Sequence, residues 1–232
     1  MVNGGMDMRF KELTGLSIGE VVTKHPELVR VFMDYNVDFC CGGDRTVAEA
    51  VEKDTDEVEA LEIAADKAIE QAKLFAVGGT QKSLDAFTNE ELIDRIINTH
   101  HRYLRETLPR LSELLFKILG VHGEHHPELF DIHRIFGGLK TELEGHLIKE
   151  EKQLFPQILK GGKGISQLIK TLEDEHDGAG EALHELTDLT NHFTLPPDAC
   201  VTYGATYELL KALTADMYMH VHTENNVLFK RF

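Results

Sequence analysis

Six residues repeat in a pattern that suits a metal. His146 and Glu150 are four apart in GHLIKEEKQLF, and His220 and Glu224 are four apart in MHVHTENNVLF. In a helix, that spacing stacks two side chains on one face, one turn apart. His101 in THHRYLRETLP and His176 in EDEHDGAG have no carboxylate at that offset, yet both fall within apolar stripes. An unpaired charge in such a stripe costs several kcal/mol, roughly what one severe mutation costs a domain. A single histidine on an apolar face is more often a satisfied core residue than a ligand. Six such positions, duplicated in register, reverse that balance. Imidazole and carboxylate together suit iron, zinc or manganese. Two ions can each take two histidines and share Glu150 and Glu224 as bridges, with a solvent-derived oxygen between them.

The stripes show which elements must position these residues. Ile93, Ile97, His101, Leu104, Leu108, Leu111, Leu115 and Ile118 follow steps of three and four. The same period holds through Leu139, Leu143, His146, Glu150 and Leu154. It recurs from Ile165 through Leu172 and His176 to Leu186, and from Leu210 through Met217, His220 and Glu224 to Val227. These are inward positions of four helices. The helices are expected from Thr88 to Gly120, Pro127 to Leu159, Ile165 to Asn191 and Asp198 to Phe229, an up-down-up-down bundle. His101 and His146 are 45 residues apart and His176 and His220 are 44 apart, so two hairpins repeat one ligand pattern.

Ahead of the bundle, Ser17-Ile-Gly-Glu20 and Thr46-Val-Ala-Glu49 have capping-box spacing. Pro26 suits the first turn of a helix through Tyr35, with Asn36 left-handed at its end. The expected division is a tail at 1–14, a small helical domain at 15–76, a linker at 77–87 and the bundle at 88–232. The chain reads as all-α. Its 40 acidic and 24 basic residues give a net charge of −16, which argues against nucleic acid or an anionic membrane as partner. No apolar run is long enough to span a bilayer, and MVNGGMDMRF lacks the apolar core of a signal peptide. Three cysteines make no disulfide framework, so a cytoplasmic location is expected.

The remaining chemistry is thinner. Cys40 and Cys41 are adjacent in DFCCGG, and the helix starting at Thr46 is expected to favour thiolate there. Redox exchange, metal transfer and nitric oxide chemistry all stay open for the pair. Cys200 reads as structural. His100 and His222 lie beside ligand candidates but off the seam. His133 and His184 have no carboxylate at matching depth, and His122, His125 and His126 fall in a polar crossover.

DFCCGG, THHRYLRETLP, HLIKEEKQLFP, EDEHD and HVHTENNVLF together resemble the repair-of-iron-centres family, from about residue 15 to 230. Such proteins pair a hemerythrin-like bundle with a short CCGG domain. The resemblance implies His101, His146, Glu150, His176, His220 and Glu224 as ligands of two iron ions joined by an oxo or hydroxo bridge. It also implies repair of iron–sulfur clusters damaged by nitric oxide or peroxide, with damaged iron–sulfur proteins as partners. Positions four from His176 are Leu172 and Gly180, so the extra histidine of oxygen carriers is missing. A nitric oxide or peroxide reductase and an oxygen or iron sensor are the alternatives. The oligomeric state, homodimer included, stays open.

Overall fold

The computed structural model describes residues 9–35, 37–51, 55–75 and 83–232. It forms two compact units: Met1–Phe87 with His222–Lys230, and Thr88–Val221 with Arg231–Phe232. The break falls at the end of the expected linker. Residues 77–82 of that linker, and Asn36, lie outside the described residues; Leu84–Ala86 form a 3-10 turn.

The first unit holds α1 (Ile18–Lys24), α2 (Val29–Asp34), α3 (Val47–Ala50) and α4 (Thr55–Phe75). Ser17 caps α1 by accepting the Glu20 N–H, and Thr46 with Glu49 forms a full capping box on α3. Phe10, Phe32 and Phe39 run through the core with ring centroids 6.0 and 6.3 Å apart. The segment at 222–230 belongs to this core. Its Asn226 amide donates to the Cys40 carbonyl at 2.9 Å, and the His222 ring meets the edge of Phe39 at 5.9 Å. Asn226 lies so close to Gly43 that a Cβ there would overlap the side-chain amide.

The second unit is a four-helix bundle. Its helices are α5 (residues 89–122), α6 (residues 128–159), α7 (Ser166–Leu189) and α8 (residues 201–228), whose last turns, from His222, are counted with the first unit. Thr88 and Glu91 cap α5 reciprocally. Gly161 and Gly162, with φ of 104° and 64°, end α6 in a turn that side chains with a Cβ rarely adopt. α7 stops at Leu189, short of the expected Asn191, because Asn191, His192 and Phe193 turn left-handed. α6 packs against both α5 and α7. Leu104, Leu108, Leu143, Leu172, Leu183, Leu210 and Leu213 are buried between the helices, each contributing about 2 kcal/mol by leaving water.

Three helices contain a π-helical turn: Ile97–His101, Glu150–Leu154 and Thr223–Leu228. This changes the register of α5. Ile96 is fully buried, whereas Ile97, expected in the stripe, is half-buried. The stripe then steps five residues from Ile96 to His101 before resuming at Leu104. The wide turn absorbs the extra residue and keeps His101 inward.

Two glycine substitutions test this packing. Gly43→Ala is expected to destabilise the chain by about 1–3 kcal/mol through overlap with Asn226. Gly137→Ala, in an open stretch of α6, should stabilise it by about 0.8 kcal/mol. Urea midpoints moving in opposite directions would support both assignments; equal midpoints would contradict them.

Candidate metal centre

Buried polar residues on the four long helices converge. His101, Glu150, His220 and Glu224 form one group whose ligand-type atoms all lie within 4.8 Å of one another. His146, Glu150, His176 and Glu224 form a second. The groups share both glutamates and neither histidine pair. All six residues are at most 3 % exposed.

Each element delivers its residue for a local reason. His146 and Glu150 are one turn apart on α6, and the π turn starting at Glu150 rotates the next residues so that Leu154 and Phe155 are both buried. Glu150 turns Oε2 toward His101 Nε2 at 3.2 Å and Oε1 toward His146 Nε2 at 3.4 Å. One carboxylate therefore addresses a histidine of each group. His146 and His176 bring their Nε2 atoms 2.9 Å apart. Two nitrogens bound at right angles, about 2.1 Å from one ion, would be about 3.0 Å apart. The donor set is nitrogen and carboxylate oxygen, which fits iron.

Two further carboxylates fix the rings. His101 Nδ1 is 2.8 Å from Glu151, which also takes Arg105 at 2.6 Å. His146 Nδ1 is 2.9 Å from Glu175, which is also bound by Lys149. An Nδ1–H held by carboxylate leaves the Nε2 lone pair facing inward. Burial pushes the Glu151 carboxyl up, but hydrogen bonds from His101 and Arg105 outweigh it and hold the group below the usual range. Glu175 is lowered in the same way, burial being outweighed by Lys149 and His146. Sequence reasoning missed both residues. Their signal was adjacency, since Glu151 comes directly after Glu150 and Glu175 directly before His176.

The off-seam histidines have other partners. His100 binds Asp216 at 2.9 Å and lies parallel to the His220 ring at 5.2 Å. His222, within the first unit, sits 3.2 Å from the Thr23 hydroxyl; burial pushes its pKa down to about 4. His126 joins Glu128 to Asp198, whereas His133 and His184 contact Phe116 and Tyr218. On one side the centre opens. A cavity of about 340 Å³ reaches His146 and His176 between Glu142, Lys149, Asp174 and Glu175. Phe155 stacks on His101 at 5.8 Å.

Comparison with known proteins agrees with this geometry. The hemerythrin HHE cation binding domain family matches residues 92–232, and the domain of unknown function DUF542 matches residues 15–70. The iron-sulfur cluster repair protein YtfE of Shigella boydii serotype 4 is 36% identical over 92% of this chain and 94% of its own. The protein of the same name from Escherichia coli strain HS is 35% identical over the same shares.

The three thiols differ in environment, and none is in a disulfide. Cys40 is buried and Cys41 half-buried. The expected thiolate bias does not hold for Cys40. Its hydrogen bond to Cys41, then burial, then the charges of Cys41 and Asp38 push its pKa well up. α3, at four residues, is too short to supply a dipole that opposes them. Cys200 is the activated thiol instead. It is exposed, its sulfur accepts the Tyr203 N–H at 3.4 Å as α8 begins, and His122 with that N–H lowers its pKa to about 7. Alkylation should therefore reach Cys200 first, about 10-fold faster at pH 8 than at pH 6. Mass-spectrometric labelling that finds Cys40 first would contradict this order.

Proposed function

Because the chain belongs to the hemerythrin HHE cation-binding family, among its iron–sulfur cluster repair members, we propose that it holds two iron ions and restores damaged iron–sulfur clusters. The observation that carries the reading is the pair of four-residue groups sharing Glu150 and Glu224. In this reading His101 and His220 would hold one ion and His146 and His176 the other, with Glu150 and Glu224 within reach of both. Bound iron would supply exchangeable metal and one-electron redox chemistry.

The chain's own residues do the positioning. Glu151 and Glu175 lock the His101 and His146 tautomers, and the apolar stripes above and below exclude water. Glu142, Asp174 and Glu175, with Lys149 among them, give the opening a net negative charge, which attracts cations. That charge supports iron supply. Cys40 and Cys41 are candidates for handling iron or nitric oxide on its way to a client. Damaged iron–sulfur proteins are the proposed partners. No helix among the described residues is long and apolar enough to cross a membrane.

Glu150→Ala should lose bound iron and lower thermal stability together, since metal binding is linked to folding. Glu151→Ala, which spares every ligand, should weaken iron binding about 10- to 100-fold. His101→Ala should lose iron where His100→Ala keeps it. Iron-loaded protein mixed anaerobically with a cluster-damaged protein should then give up iron in proportion to the clusters restored. Full iron retention by Glu150→Ala would sink the bridging assignment. Restoration with no iron leaving the chain would sink iron supply.

A further inference from the structure

The first unit carries a third cluster of ligand-type atoms, made from residues of that unit alone. Asp38, Cys40 and Cys41 each place one such atom within 4.8 Å of the other two. The two sulfurs are 3.9 Å apart, and Cys40 Sγ is 3.3 Å from Asp38 Oδ1. Two thiolates bound about 2.3 Å from a tetrahedral ion lie about 3.8 Å apart, and such a sulfur lies about 3.5 Å from a carboxylate oxygen on the same ion. The loop is already at the bite a single ion needs.

Neighbouring side chains in an extended segment point to opposite faces. Asp38 prevents that here. Its Oδ1 accepts the N–H groups of Cys40 and Cys41 at 3.0 and 3.1 Å, and its Oδ2 accepts that of Gly42 at 2.9 Å. The turn folds both sulfurs toward the carboxylate. Arg45 lies 3.5 Å from Oδ2, so the oxygen nearest Cys40 Sγ is not the one the guanidinium approaches. Asn226, donating to the Cys40 carbonyl, holds the loop from behind.

We propose that Asp38, Cys40 and Cys41 form a binding site for one borderline divalent cation, of the Fe(II) or Zn(II) kind, with its fourth position open. Two thiolates select such ions over magnesium or calcium. Closed structural sites take four protein ligands, whereas three leave a position for exchange. Each sulfur that becomes a ligand gives up its proton to solvent, and no electron moves. Cys41 is the more exposed of the two cysteines.

Co(II) is the probe, added to the reduced full-length chain whose bundle has first been loaded with iron. One equivalent should give a thiolate-to-cobalt charge-transfer band in the near ultraviolet. Cys40→Ser and Cys41→Ser should abolish it, and Asp38→Asn should weaken cobalt binding by about 10-fold or more. Asp38 also shapes the loop, so Cys41→Ser, which removes no backbone hydrogen bond of Asp38, is the decisive variant. Cys200→Ser should leave the band unchanged. His146→Ala, which impairs the bundle centre, should also leave it unchanged, so this site and the two-iron reading fail separately. No band at one equivalent, a band that survives Cys41→Ser, or one that vanishes in Cys200→Ser would overturn the proposal.

Discussion

Two carboxylates with no exposed surface, Glu150 and Glu224, govern the rest of the bundle. An ionised carboxylate moved from water to a protein interior costs several kcal/mol even after relaxation. Arg105 and Lys149 are engaged with Glu151 and Glu175, so their charges answer the outer carboxylates. Around the inner pair stand the four histidines, which are neutral when their Nε2 atoms act as ligands. In the proposed reading, two divalent ions would supply the positive charge at the centre of the six. Metal bound there would turn groups that destabilise an apolar bundle into a link that stabilises it, because metal affinity adds directly to folding free energy.

That requirement also explains the local departures from regular helix. An α-helix fixes side-chain direction at 100° per residue, and four helices meeting at one point seldom have the right phase together. π turns at Ile97–His101, Glu150–Leu154 and Thr223–Leu228 each insert one residue and re-aim the side chains of the next turn. Their placement in α5, α6 and α8, each holding or adjoining a ligand residue, fits their general concentration at functional sites.

The sequence made the fold class readable because steps of three and four persist across all four helices. The six inward polar residues were readable because they interrupt those steps at matching depths. The π turns were not readable. A helix that skips from Ile96 to His101 leaves a pattern that Ile97 fits equally well by residue type, and only the hydrogen-bond register separates them. The outer carboxylates were hidden for a different reason. Glu151 and Glu175 sit on polar faces rich in acidic residues, where nothing in spacing distinguishes a partner of His101 from a solvated neighbour. At the vicinal cysteines, the capping box at Thr46 was legible and correct. A four-residue helix, however, has no field strong enough to decide the Cys40 thiol, and burial beside Asp38 decides it the other way.

Two kinds of scaffold give two kinds of donor set. The bundle places its candidate nitrogen and oxygen ligands on four long helices with packed stripes, and carboxylates brace the His101 and His146 rings, an arrangement that suits retention. The DFCCGG turn places its candidate sulfur ligands on a few residues held by the Asp38 carboxylate, the Asn226 amide and the Arg45 guanidinium. Its Cys40 thiol keeps its proton until something displaces it, since the hydrogen bond to Cys41, burial and the nearby charges all push the Cys40 pKa up. A cation entering that turn meets a proton competitor as well as a soft ligand pair, so affinity there falls as pH falls. Retention at the proposed bundle centre and exchange at the proposed turn would be complementary tasks, with nitrogen and oxygen donors on long helices and sulfur donors on a short turn.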